Sequence, residues 1–171
     1  MKPERLLLPV DIARCPLEVM ELVNGFASRP EVTIILLHVL NSVGAPSRFM
    51  AKPPRPSRER ALWYLARLAK KYIHPIASTI TRVRSGDVAE QILEEARIGN
   101  ADLIILPTYR PSLWDSLRAL WRAGYKAFTS PLAERLIKEA NCSVFLVGAK
   151  TRFNCERAWG LPAREELAAV C

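Results

Sequence analysis

VTIILLHVL, Val32 to Leu40, is the stretch that decides the fold. Apart from Thr33 and His38 it is apolar throughout, and much of it is β-branched. A strand with one wet face alternates apolar and polar residues. A continuous run of this kind fits a strand covered on both faces, as in a parallel sheet packed between helices.

The flanking sequence repeats that theme. Upstream, Arg5 to Val10 (RLLLPV) reads as a short buried strand ending at Asp11. Pro16 then opens a helical pattern in which Leu17, Met20, Val23 and Phe26 share a face. Downstream, Asn41 to Ser57 is rich in Pro, Ser and Arg and reads as a long loop. Glu59 to Ile73 is helical, with Leu62, Leu65, Leu68 or Ala69, Tyr72 and Ile73 inward.

Ser78 to Arg84 (STITRVR) alternates and reads as a strand with one wetter face, at the sheet edge. Asp87 to Ile98 is a helix with Val88, Ile92, Leu93 and Ala96 inward, ended by Gly99-Asn100. Asp102 to Leu106 (DLIIL) is a buried strand. Ser130-Pro131 opens a helix to Ala140, and Ser143 to Val147 (SVFLV) is the last strand. Strands alternating with helices imply right-handed parallel crossovers. The fold class is therefore α/β, a doubly wound, Rossmann-like sheet with helices on both faces. Ligands of such sheets bind at the carboxyl ends of the strands, where strand order reverses.

Five blocks in order resemble the universal stress protein family: LLLPVD, TIILLHVL, RSGDVAEQILEEA, ADLIILP and SPLAERLIKEANCSVFLVG. The resemblance runs from about Leu6 to Gly148 and lapses in the loop after Leu106 and in the tail after Lys150. It implies a five-stranded parallel sheet of order 3-2-1-4-5 and a homodimer through the last strand. Some members of the family bind ATP. In those, an aspartate ending the first strand and a valine ending the second contact the nucleoside, and a G-x-x-G loop with a later G-S or G-T pair holds the phosphates. Glycine there lets backbone N–H groups approach phosphate, and the next helix N-terminus adds a favourable dipole.

Asp11 and Val39 fall on the two nucleoside positions. The phosphate positions are changed. Pro107 and Arg110 stand where the two glycines belong, and Ser130-Pro131 where the G-S pair belongs, with ten residues more between Arg110 and Ser130 than the motif has. Proline has no N–H to donate. Ordinary ATP binding through this loop is not expected, and the cleft of Asp11, Val39, Pro107, Arg110 and Ser130 is read as degenerate, with no cofactor. The alternative is a nucleotide or anion sensor, for ATP or AMP, with guanidinium groups replacing the glycine donors. The inserted stretch, about 108–129, has an amphipathic helical pattern carrying Trp114 and Trp121 beside Arg118 and Arg122. The domain is expected over residues 1–150, with 151–171 as a C-terminal extension.

The net charge is +8, and from Arg48 to Arg84 the basic residues meet one acid, Glu59. Such a surface suits an acidic protein partner. Nucleic acid is not expected, because no recognition motif accompanies the charge. Cys15, Cys142, Cys155 and Cys171 form no CxxC pair and the only histidines are His38 and His74, so a zinc site is not expected. No spacing supports a catalytic triad or dyad, and a non-enzymatic regulatory or protein-interaction module is the reading. No apolar run spans a bilayer and MKPERLLLPVD lacks a signal-peptide core, so a cytoplasmic protein is expected.

Overall fold

The computed structural model describes residues 3–12, 17–41, 57–109 and 131–149. In chain order the elements are β1 (Arg5–Pro9), α1 (Leu17–Phe26), β2 (Thr33–Asn41), α2 (Arg58–Tyr72), β3 (Ser78–Gly86), α3 (Val88–Ile98), β4 (Leu103–Tyr109), α4 (Pro131–Glu139) and β5 (Ser143–Ala149). All ladders are parallel and the sheet order is β3-β2-β1-β4-β5. The doubly wound five-stranded architecture is therefore as the sequence implied.

The alternation of side chains along β1 and β2 explains why both read as unbroken apolar runs. Leu6, Leu8, Ile34 and Leu36 face one core with Val19, Met20 and Val23 of α1 and Tyr64, Leu65 and Leu68 of α2. Leu7, Ile35 and Leu37 face the other, with Ile92 and Ala96 of α3 and Ala133 and Leu136 of α4. Each fully buried aliphatic side chain of this kind contributes about 2 kcal/mol of transfer free energy.

Helix boundaries follow local chemistry. Ser57 caps α2 by accepting the Arg60 N–H at 3.2 Å, and Asp87 caps α3 by accepting that of Glu90 at 3.0 Å. The inward stripe of α2 is rotated from the expected one. Ala61 and Tyr64 are buried beside Leu65 and Leu68, while Leu62 is only partly so.

Two strands run further than their composition suggested. β3 continues to Gly86, and β4 continues through Pro107 to Tyr109. Pro107, expected in a loop, is thus a strand residue in register with Val147. The loop expected over Asn41–Ser57, the amphipathic stretch at about 108–129 and the 151–171 extension fall wholly or mostly outside the described residues, as do Arg110 and Ser130.

α3 also buries a charge. Glu95 is 4 % exposed, and its carboxylate takes the Arg84 Nε at 2.6 Å and lies 3.6 Å from that of Arg82. Both arginines are on edge strand β3, two residues apart and so on one face. They neutralise a carboxylate that the helical pattern alone would not place inside.

Candidate functional site

The reversal of strand order lies between β1 and β4, the crevice where ligands of such sheets bind, and there the ladder is short. β1 stays paired with β2 as far as Pro9–Leu37, and β4 with β5 as far as Tyr109–Ala149. Between β1 and β4 the register consists of Leu6–Leu103 and Leu7–Ile104 alone. Past that point the β1–β4 ladder stops, while each strand stays paired with its outer neighbour.

Proline accounts for where the ladder stops. Backbone N–H and C=O groups of a parallel strand point alternately to its two sides. Glu4 O and Val10 N bond toward β2, accepting from Thr33 N at 2.7 Å and donating to Leu37 O at 2.7 Å. Arg5 O bonds toward β4, accepting from Asp102 N at 2.9 Å. Odd-numbered residues of β1 therefore face β4, and Pro9 meets that strand without an N–H to give. In β4, Asp102 O accepts from Ser143 N of β5 at 3.3 Å, so even-numbered residues face β5 and Pro107 faces β1. Both prolines put their missing donor into the crevice. Each is tolerated in a central strand because its other neighbour lies on the opposite phase.

The result is a seam between β1 and β4 that is rich in acceptors. The carbonyls of Pro9, Ile105 and Pro107 turn into it, and two of the N–H groups that would answer them are absent. A guest with donors, such as hydroxyl or amino groups, is matched to this lining. A phosphate is not.

Asp11 stands at the mouth. It is exposed between the buried Val10 and Ile12. Two residues past the Pro9–Leu37 pair, it is level with Val39, which is half-buried and packs toward the α3 and α4 side. His38 fastens this corner. Its Nδ1 donates to the Val10 carbonyl at 2.8 Å, and because a carbonyl only accepts, Nδ1 carries the hydrogen. Sequence reasoning did not connect it to Asp11, because the link runs from a β2 side chain to the backbone of another strand.

The structure thus brings Asp11, Val39 and Pro107 to one edge of the sheet. The described segments 3–12, 17–41 and 57–109 each end at that same edge. Thr108 adds a hydroxyl, which donates to Val147 O at 3.2 Å.

Among the described residues no group of three or more His, Cys, Asp or Glu side chains is placed to hold a metal, and no helix is long and apolar enough to cross a membrane. His74 is used locally: its N–H donates to Asn24 Oδ1 at 2.7 Å and its Nδ1 accepts from Ile76 N at 3.3 Å. Cys142 is half-buried, and burial pushes its thiol up from the ordinary value, which makes it a poor nucleophile.

Solved structures share this fold. A universal stress protein in complex with cAMP is 13 % identical, with 88 % of this chain and 100 % of that chain covered and a TM-score of 0.55. A family member from Arabidopsis thaliana with AMP bound is 18 % identical, with 87 % and 94 % covered and a TM-score of 0.54. UspA from Lactobacillus plantarum is 14 % identical, with 86 % and 99 % covered and a TM-score of 0.53. A comparison with curated protein sequences finds no match.

These structures correct the expectation of no cofactor. It was drawn from the altered phosphate loop, yet two proteins of this fold hold cAMP and AMP, ligands without the β- and γ-phosphates that a triphosphate loop cradles. Loss of the glycines therefore does not argue against a nucleotide as such. The family model for universal stress proteins matches residues 3–148, most of the sequence, and the chain belongs to the universal stress protein family.

Proposed function

We propose that this chain is a regulatory, non-catalytic domain that takes an adenine mononucleotide by its nucleoside end. The observation that carries the reading is the end of the β1–β4 ladder at Leu7–Ile104, at the reversal of strand order, where Pro9 and Pro107 leave backbone carbonyls without their ladder donors. Ribose hydroxyls and an exocyclic amine supply the hydrogens such a lining needs. Asp11, level with Val39, adds a carboxylate suited to ribose hydroxyls, and Val39 adds an apolar wall for the base. The cAMP and AMP complexes of proteins with the same fold support adenine as the base.

Pro107 bears against a polyphosphate, since it removes a backbone donor at a position where the family's ATP binders use glycine. A single phosphate at the mouth of the crevice would be met by Arg110, the residue after β4, with Ser130 before α4 as its neighbour in the family pattern. The working unit is a homodimer through β5. That strand is at the sheet edge, and its Phe145 is 46 % exposed, a large apolar side chain on a strand with a ladder on one side among the described residues. Residues 1–150 form the domain and 151–171 an extension of it.

Calorimetry with adenosine, AMP, cAMP and ATP on the purified protein tests the reading. Adenosine and AMP are expected to bind within about tenfold of each other, with ATP no tighter. ATP binding more than about tenfold tighter than AMP, or no heat from any of them at millimolar concentration, overturns it. Chromatography of the denatured protein shows whether a nucleotide co-purifies.

A further inference from the structure

β3 is an edge strand, with β2 on one side and no strand on the other among the described residues. Backbone phase tells which of its residues face the free side. Ser78 N donates to Val32 O of β2 at 3.0 Å, so the even-numbered residues of β3 bond to β2. Thr79, Thr81, Val83 and Ser85 therefore turn their N–H and C=O groups outward. Thr79 and Ser85 are exposed and Thr81 is half-buried.

Edge strands are commonly blunted by proline, by a bulge or by short length. β3 has none of these. It is 9 residues long, contains no proline, and keeps an unbroken register with β2 from Thr33–Ser78 to Asn41–Gly86. Its outward row of alternating donors and acceptors is a template for one more strand.

Charge decides which strand fits. β3 carries Arg82 and Arg84 and no acid. The two arginines share one carboxylate, Glu95 of α3. Arg84 is committed to that face: its Nε donates to Glu95 at 2.6 Å and its Nη1 to Gln91 at 3.4 Å. Arg82 is not. Its Nε lies 3.6 Å from Glu95, beyond hydrogen-bond length, and its side chain is 55 % exposed. One positive charge is thus left over at the edge. A second copy of β3 is a poor guest, because antiparallel pairing about Thr81, Arg82 or Val83 sets Arg82 opposite or diagonal to an arginine of the other copy. A segment with a carboxylate at that position is attracted instead. On the opposite face, beside Thr81 and the buried Val83, a β-branched residue suits.

We propose that the free edge of β3 takes an extended acidic segment of a partner protein as an added strand, its backbone paired with Thr79, Thr81, Val83 and Ser85 and a carboxylate at Arg82. β2 lies between this edge and the β1–β4 seam, so the edge and nucleotide binding are separable.

The test is residue-resolved amide exchange on the full chain, with and without a peptide of about nine residues, the length of β3, that alternates glutamate and valine. In the free chain the amides of Ile80, Arg82 and Arg84 are expected to be protected by β2, and those of Thr79, Thr81, Val83 and Ser85 to exchange freely. Saturating peptide is expected to slow the second set at least about tenfold and to leave the first as it was. Thr81→Pro removes an outward donor and no bond to β2. It is expected to weaken the peptide at least about tenfold by fluorescence anisotropy, and Arg82→Gln to weaken it several-fold. If Thr81→Pro disturbs folding by circular dichroism, the exchange pattern of the unaltered chain carries the test. Outward amides already protected in the free chain mark an edge that the protein covers itself, and overturn the proposal. So does a peptide that fails to bind or leaves those amides fast, and so does equal binding of the peptide with lysine in place of glutamate. Self-association lost in Thr81→Pro overturns it in favour of pairing between copies.

Discussion

Pro9 of β1 and Pro107 of β4 turn donor-less backbone nitrogens toward each other's strand, and the β1–β4 register ends at Leu7–Ile104, two residues before Pro9. In an uninterrupted parallel ladder the N–H of residue 9 would reach the Ile105 carbonyl. Pro9→Ala restores it. The new hydrogen bond adds about 1 kcal/mol, offset in part by the freer unfolded chain of alanine. The sharper readout is exchange: the residue 9 amide is expected to be protected to the level of the neighbouring β1 amides, and AMP affinity to fall as the ladder lengthens. A freely exchanging amide at position 9 shows that something other than proline ends the ladder.

Asp11 is exposed, and its replacement tests binding without loading the core. Asp11→Ala is expected to keep the melting temperature within about 2 °C, since surface changes lie within about 0.5 kcal/mol. AMP affinity is expected to drop about tenfold, the loss of one charge-assisted hydrogen bond to a ribose hydroxyl. Equal affinity for AMP in the variant removes Asp11 from the site.

The sheet was legible because Val32–Leu40 and Asp102–Leu106 have compositions that fit only strands covered on both faces. Asp11 and Val39 were legible as positions through the resemblance to the family, whose nucleoside contacts stand at the ends of the first and second strands. The crevice was not. Proline inside an apolar run reads as the end of a strand, and only the phase of neighbouring strands shows that its missing donor costs nothing there. Glu95 was hidden for a related reason. A helix pattern records which positions face inward, not that Arg82 and Arg84, ten or more residues earlier, stand ready to neutralise one of them.

That buried carboxylate makes a stability prediction. Glu95→Ala leaves Arg84 without its 2.6 Å partner and opens a void beside Ile92. Urea unfolding is expected to show a loss of about 2 kcal/mol, below the range for a fully buried pair because Arg84 and Arg82 are partly solvated. Glu95→Gln keeps the volume and one acceptor, and is expected to cost about half as much. Equal stability of Glu95→Ala and the parent chain would mean the pair is offset entirely by its desolvation.

Asp87 ties α3 to α4 and gives a pH dependence. Its carboxylate caps α3 by accepting the Glu90 N–H, and it also takes the Arg135 Nη1 at 2.8 Å. The cap bond first, and then the Arg135 charge, holds it below the ordinary aspartate value of 3.8. A depressed folded pKa means the contribution is present above the unfolded value and is lost as pH falls through the folded one. Asp87→Ala is therefore expected to lower the melting temperature by about 3 °C at neutral pH. The gap between variant and parent is expected to close as the pH drops below 3.8. A gap that persists in acid assigns the effect to helix propensity instead.

Gly99, at the C-terminus of α3, is fixed by close approach and not by a left-handed backbone, since its φ is −76°. A Cβ there would lie 2.7 Å from Ile35 Cδ1 and 3.0 Å from the Glu95 carbonyl oxygen. Ile35 lies in the core between the sheet and α3, so it has little room to yield. Gly99→Ala is expected to destabilise by about 1–3 kcal/mol despite the better helix propensity of alanine. A double-mutant cycle separates the two contacts. Ile35→Val removes Cδ1 and alone costs about 1 kcal/mol. Combined with Gly99→Ala it is expected to cost less than the sum by about 1 kcal/mol, because the deleted methyl makes room for the added one. Strict additivity would instead place the strain on the Glu95 carbonyl, which no side-chain change at Ile35 can relieve.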